Sequence, residues 1–216
     1  MSEQNLLDVM IARTKLSKKQ TDKQQKIVEA AIRIFAEKGY SNTSTSEIAQ
    51  AAGVAEGTIF RHFGTKDNLL LSVILPFLKE WVPVMAEDVF QEIMSEEASF
   101  EDFVRALIKN RIAFIKENKE VFQVVVKEFL YNEELRKELF PHLSESIGSR
   151  LTNVLQRFQA RGELADIPID RLKRMLISFV GAQFVSRFVL LPEIQDLDED
   201  AEVEAIVKFI MNGIGK

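Results

Sequence analysis

The chain has 216 residues, of which 46% are hydrophobic, and a formal net charge of −5. That length is enough for one large or two small domains with an apolar core. Cysteine is absent, which excludes disulfides, thiolate metal sites and cysteine nucleophiles.

The charge is uneven along the chain. Residues 1–66 hold ten Lys and Arg against seven Asp and Glu, whereas residues 67–216 hold 18 against 26. A basic head on an acidic body turns the head toward phosphate, although chance asymmetry of solvated faces fits the same counts. Residues 1–21 are polar and read as a flexible basic arm. Arg13, Lys15, Lys18, Lys19 and, just beyond, Lys23 suit phosphates or a minor groove; an arm with no specific role is the other reading. The apolar run from Asn5 to Ala12 is broken by Asp8 and too short for a secretory core.

Helices are expected at about 22–38, 45–52, 56–63 and 66–95. In the first, Ile27, Ala31, Ile34 and Phe35 share one stripe that stops at Gly39. Ser44 and Glu47 make a capping box for the second. Ile48, Val54 and Ile59 close a small core between the second and third helices. Ala49 is small enough for a close crossing, and Gly53 accepts the positive φ of a tight turn. Glu56, Gly57, Thr58, Arg61 and His62 are left facing outward. Short polar groups at a helix start, followed by a cation, suit base edges and phosphates in a major groove. The segment 45–63 therefore reads as a helix-turn-helix, a corner that is also found as a purely structural unit. Gly64-Thr65-Lys66-Asp67 ends its second helix and caps the fourth, in which Pro76 and Pro83 predict a kink.

Lys26–Leu70 closely resembles the DNA-binding domain of the TetR/AcrR family of bacterial helix-turn-helix transcriptional repressors. The matching pieces are AAIRIFAEKGY, TS at 43–44, EIAQAAGV at 47–54, GTIFRHF at 57–63 and KDNLL at 66–70. The rest of the chain is compatible with the family in length and helical pattern only. The resemblance implies an all-α protein. Residues 22–66 are a three-helix DNA-binding domain, and 67–216 form a helical ligand-binding and dimerisation domain. Groove contacts are expected from Thr45, Ser46, Glu56, Gly57, Thr58 and Arg61, with Thr43 and Ser44 of the matched segment beside them. His62 and Lys66 are expected at phosphates. Glu56 has two readings, an acceptor for a cytosine amino group or a favourable charge at a helix start.

Two residues depart from the family pattern. Ala55 stands where a capping serine is usual, which weakens that helix start by ~1 kcal/mol. Phe60 stands where a tyrosine usually reaches a phosphate, so the ring is kept and the hydroxyl bond lost.

Further helices are expected at about 100–117, 119–131, 133–161, 168–191 and 199–213, making about nine in all. Val124-Val125-Val126 is β-branched but sits within helical spacing. Residues 175–191 contain Gln183, Ser186 and Arg187 and fall short of the ~20 apolar residues of a membrane span. A cytoplasmic, soluble protein is expected.

Large apolar residues are spread over the middle helices. Trp81, Met85, Phe103, Phe114, Phe122, Phe129 and Phe184, with Asn110, Arg111 and Gln183 as polar contacts, are the candidate walls of a ligand pocket. Ordinary core fits the same aromatics. A pocket of this make-up takes an apolar or amphipathic effector. Arg187 pairs either with an anionic ligand or with a carboxylate across a dimer seam. That seam is expected on the last two helices, from Phe179, Phe188, Val203, Ile206, Val207 and Ile210, as half of a four-helix bundle; burial inside one subunit is the alternative. A two-fold dimer would read a palindromic double-stranded operator.

Enzyme chemistry finds no support. The two histidines, His62 and His142, lie in different helices, and no H-E-x-x-H, GxSxG or phosphate-cradling loop occurs. Asp196, Asp198 and Asp200 begin like a calcium loop, but Ala201 and Val207 stand where Gly and Glu are needed. No metal or cofactor is expected. Two functions remain: a ligand-released repressor, and a DNA-binding regulator whose C-terminal domain docks a protein partner.

Overall fold

The computed structural model describes residues 21–75, 98–131, 133–191 and 198–215. The basic arm through residue 20, Pro76 and Pro83 with the kink expected there, Trp81 and Met85 fall outside them.

Local chemistry sets the first three helices. Helix α1 spans Asp22–Lys38 and opens on a capping box between Thr21 and Gln24. It buries Ile27, Val28, Ala30, Ala31, Ile32, Ile34 and Phe35. Gly39 ends it at φ 80°. Helix α2 spans Thr45–Ala52, and the Ser44–Glu47 capping box is present. Gly53 follows in the left-handed region, with φ 66° and ψ 36°. A side chain there would be strained by its own backbone. Helix α3 spans Glu56–Phe63 with Ala55 at its N-cap and no side-chain cap. Residues 66–75 form α4, whose first turn is capped by the Thr65 hydroxyl accepting from Asn68 N at 3.0 Å.

Helix α5 spans Phe100–Glu117, α6 Lys119–Tyr131 and α7 Glu133–Ala160, with Pro141 inside α7. Helix α8 runs Ile169–Val185 and continues into a π-helical turn, Ser186–Leu190. The expected single helix therefore changes its winding just where Arg187 stands. Helix α9 spans Glu199–Ile214, and the Asp198 side chain accepts from Asp200 N and Ala201 N. Asp198 of the aspartate run thus serves as the N-cap, and Asp196 lies outside the described residues. Among the described residues, β-type pairing is limited to one isolated bridge, Leu164 with Gly215.

The chain forms two compact units, and they do not follow the boundary expected at residue 66. The first combines the described residues up to 75 with 117–131; the second combines 98–116 with those from 133 onward. Helix α6 joins the first unit through polar contacts. Glu120 accepts from Tyr40 N at 2.6 Å and from Ser41 N at 3.2 Å. Lys127 pairs with Asp67 at 2.6 Å. The second unit has an aromatic centre of Phe100, Phe103 and Phe158, with Phe158 lying 5.4 and 5.9 Å from the other two rings. Ion pairs join its α5 and α9: Arg105 to Glu204 and Lys109 to Asp200, each at 2.6 Å, and Lys116 to Glu199.

Candidate nucleic-acid interface

The geometry of the first unit separates residues that hold the helix-turn-helix together from residues it presents. Ile48 and Ile59 are fully buried and Ala49 nearly so, which packs α2 against α3. Val54 is only half-buried, so the core between the helices is smaller than expected. Val54 N donates to Ala49 O at 3.0 Å and closes the turn.

The presented residues are Ser46, Glu56, Gly57, Phe60, Arg61 and His62, all exposed, with Thr45 and Thr58 half-buried beside them. A Cβ built on Gly57 meets nothing within 4 Å, so no described residue crowds its backbone on that side. Phe60 leaves 48% of its surface open, although it is a large apolar group. Glu56 is not a free carboxylate. It accepts from the Thr45 hydroxyl at 2.6 Å, which ties the starts of α2 and α3 together. That bond fixes where the carboxylate points and still leaves acceptor sites for a donor such as a base amino group.

Three expected contacts have work inside the protein. Thr43 is buried, and its hydroxyl donates to Gly39 O at 2.8 Å, so its side chain is withdrawn from any groove. Ser44 is exposed, but its hydroxyl is engaged in the capping box with Glu47. Lys66 donates to Tyr40 O and Thr43 O, both at 2.9 Å, and its ammonium lies 4.2 Å from the centre of the Tyr40 ring. Two of its three N–H groups are therefore spent on the backbone, and its first role is to clamp α4 onto the loop before α2.

Sequence reasoning missed the network around that clamp. The Tyr40 hydroxyl donates to Asp67, which also takes Lys127. Burial and the Asp67 carboxylate push the Tyr40 hydroxyl well above its usual range. Burial alone would raise Asp67, but the hydrogen bonds from Lys127 and Tyr40 outweigh it and hold the carboxyl low. Glu47 is pushed down to about 2, first by its hydrogen bond to Lys38 and then by the Ser44 bonds. The capping box therefore stays ionised across the physiological range.

In the second unit, a cavity of about 160 Å³ is lined by Ile112, Gln183, Phe184, Ser186, Arg187, Leu191, Glu202 and Ile206. Two expected pocket residues, Gln183 and Phe184, are there. Phe103 is not: it is 1% exposed, in the aromatic core. Asn110, Arg111 and Phe114 form their own group, with Asn110 Oδ1 accepting from Arg111 Nε at 3.1 Å and the guanidinium 5.0 Å from the Phe114 ring. Burial pushes Arg111 below its ordinary value. Phe122 and Phe129 belong to the first unit, on α6, and are half-buried. Arg187 donates to Glu199 of its own chain at 3.1 Å, so its carboxylate partner does not come from across a seam.

The expected seam is also revised. Phe188, Val203, Ile206, Val207 and Ile210 are all buried within the chain itself, which is the interior reading of those residues. The open apolar surface adjoins them, and Ile210 itself is among the residues that line it. Phe179 stacks on Phe209 at 4.6 Å, and both line a surface depression with Met175 and Gly213. Phe209 is 63% exposed and Met175 52%.

A left-handed glycine turn between two eight-residue helices, with a cation on the open face of the second, is the helix-turn-helix geometry that DNA-binding proteins present to a major groove. Residues 27–73 match the model of the bacterial regulatory proteins of the TetR family. The chain is 26% identical over 198 residues to the fatty acid metabolism regulator protein of Bacillus subtilis, covering 91% of this chain and 98% of that one. It is 28% identical over 184 residues to the transcriptional repressor AcnR of Corynebacterium glutamicum, covering 84% and 89%. Two solved structures share the fold. FadR of Bacillus subtilis in complex with stearoyl-CoA has a TM-score of 0.57 at 22% identity, covering 87% of this chain and 97% of that one. A transcriptional regulator of Saccharomonospora viridis in complex with choline has a TM-score of 0.59 at 20% identity, covering 91% and 100%. The protein belongs to the TetR family of bacterial transcriptional regulators. The relatives it matches are transcriptional regulators, and no described helix is long and apolar enough to cross a membrane.

Proposed function

We propose that the protein is a homodimeric repressor that holds a palindromic operator and is released from it by a small, largely apolar effector. The observation that carries the ligand part is the cavity beside Arg187, in a unit separate from the DNA-binding helices. The two structural neighbours were solved with stearoyl-CoA and with choline, which supports a small-molecule effector here without naming one. The contiguous strip of Met175, Phe179 and Phe209 supports a second copy as partner, because exposed apolar strips mark interaction surfaces.

Two copies are needed on physical grounds. One recognition helix reads only a few base pairs, while a two-fold pair reads two half-sites. Release then requires the effector to favour the state that does not fit both half-sites. A ligand that binds both states equally well leaves the operator bound.

The test is operator affinity, at one fixed salt, with and without ligands recovered by mass spectrometry from the protein expressed in bacteria. The proposal predicts a ligand that weakens operator binding tenfold or more and binds the DNA-free protein more tightly by the same factor. Ligands that bind without changing operator affinity would count against it.

A further inference from the structure

We infer that Glu56 is a specificity-determining residue of the DNA interface: its carboxylate, oriented by Thr45, accepts a hydrogen bond from the amino group of a cytosine in the major groove. The inference rests on the operator reading above and adds the base that is read and the pair of residues that reads it.

Direction comes first. A glutamate that served only the start of α3 would hold its carboxylate over the first amide groups of that helix. No side chain caps α3. The carboxylate reaches instead to the first residue of α2, where Oε1 accepts from the Thr45 hydroxyl at 2.6 Å. Thr45 is half-buried and β-branched, so its hydroxyl is a stiff support. A glutamate loses rotamer freedom when a partner fixes it, and the Thr45 bond takes that loss before DNA arrives.

Access comes second. Glu56 is exposed, and its neighbours in the chain are Ala55 and Gly57, the two smallest residue types. The space beside Gly57 is open to 4 Å from where a Cβ would stand. The Thr45 bond occupies one carboxylate oxygen and leaves Oε2 without a hydrogen bond among the described residues.

Charge then selects the base. On a surface that meets phosphate, a carboxylate without a cation is repelled. Glu47 is matched by Lys38 at 2.7 Å, whereas Glu56 has no such cation among the described residues. A carboxylate only accepts hydrogen bonds, so it needs a donor from the DNA. On their major-groove edges guanine presents N7 and O6, thymine O4, and adenine N7 beside its amino group. Cytosine presents its N4 amino group with no acceptor next to it. Glu56 therefore repels the other edges and bare phosphate, and gains a partner at cytosine.

The test uses the site that the full-length protein selects from a random-sequence pool. Its cytosines are replaced one at a time by 2-pyrimidinone, which is cytosine without the amino group, and affinity is measured at one fixed salt. One replacement in each half-site is expected to weaken binding about tenfold or more. Glu56→Gln keeps an acceptor for Thr45, removes the charge and turns a donor toward the groove. It should erase the penalty at that position and tighten binding to random-sequence DNA. Thr45→Val removes only the support and should reduce the same penalty without erasing it. The replacement series on the unaltered protein stands by itself should either variant fold poorly. A site in which no cytosine amino group matters, a penalty that Glu56→Gln leaves in place, or equal weakening of all sequences in Glu56→Gln would each overturn the inference and leave the operator reading standing. Recovery of no shared sequence from the pool would overturn both.

Discussion

The DNA-binding pair α2–α3 and the C-terminal pair α8–α9 use apolar residues differently. Helices α2 and α3 have eight residues each, and each buries one narrow set: Ile48 and Ala49 from one, Ile59 from the other. Everything else on α3 is left half-open or open. Helices α8 and α9 have 17 and 16 residues and carry apolar side chains on two faces. On α9 the inner face is Val203, Ile206, Val207, Ile210 and Ile214, while Phe209 is turned outward. A short helix with one buried stripe has one possible orientation. A long helix with two apolar faces has to be shared between its own subunit and another surface, and period alone does not say which face goes where.

Buried isoleucines carry the largest expected effect in both pairs. Ile59→Ala and Ile210→Ala should each destabilise by about 2–5 kcal/mol, because each is a fully or nearly buried branched chain. Thermal unfolding at several protein concentrations checks this. A loss at Ile210 that vanishes at high concentration would return that residue to a seam between copies. Next in size is Lys66→Met, which leaves two backbone carbonyls without a charged donor and should cost about 1.5–3 kcal/mol of stability. Loss of DNA affinity at unchanged stability would instead make Lys66 a phosphate contact.

Arg61→Ala should cost about 1–3 kcal/mol on the preferred operator and relax one base position. Binding curves on operator and random DNA decide it, and equal loss on both would assign Arg61 to the backbone. Ala55→Ser should add about 0.5–2 kcal/mol, since α3 starts with no side-chain cap; chemical unfolding measures it. The smallest effect concerns pH. Asp67 titrates below its ordinary 3.8 in the folded protein, so its contribution is complete above that value and is lost as pH falls through the folded value. Asp67→Asn should therefore flatten the acid side of the stability–pH curve and leave its slope above pH 6 unchanged, as pH-dependent denaturant unfolding would show.

Legibility followed the range of each interaction. The Ser44–Glu47 box, the turn at Gly53 and the stop at Gly39 involve residues within a few positions of each other, and all were readable. So was the uncapped start at Ala55. The Lys66 clamp and the Glu120 contacts were not, because their partners lie 26 and 80 residues apart and no local period marks them. Thr43 fits a place beside the groove contacts by its position in the matched segment, and only the end of α1, which offers Gly39 O to its hydroxyl, withdraws it. The π-helical turn at Ser186 is equally silent in the sequence, since SRFVL is compatible with an ordinary helix. It is that turn, and not the composition of the segment, that puts Arg187 at the cavity.

The proposed function requires the open face of α3 to read a two-fold DNA site. The most direct test is selection of bound DNA from a random-sequence pool by the purified full-length protein at fixed salt, repeated with Arg61→Ala. The expected result is enrichment of an inverted repeat, with one position in each half-site losing its preference in the variant. Recovery of no shared sequence, or of an unpaired half-site that Arg61→Ala leaves unchanged, would contradict it.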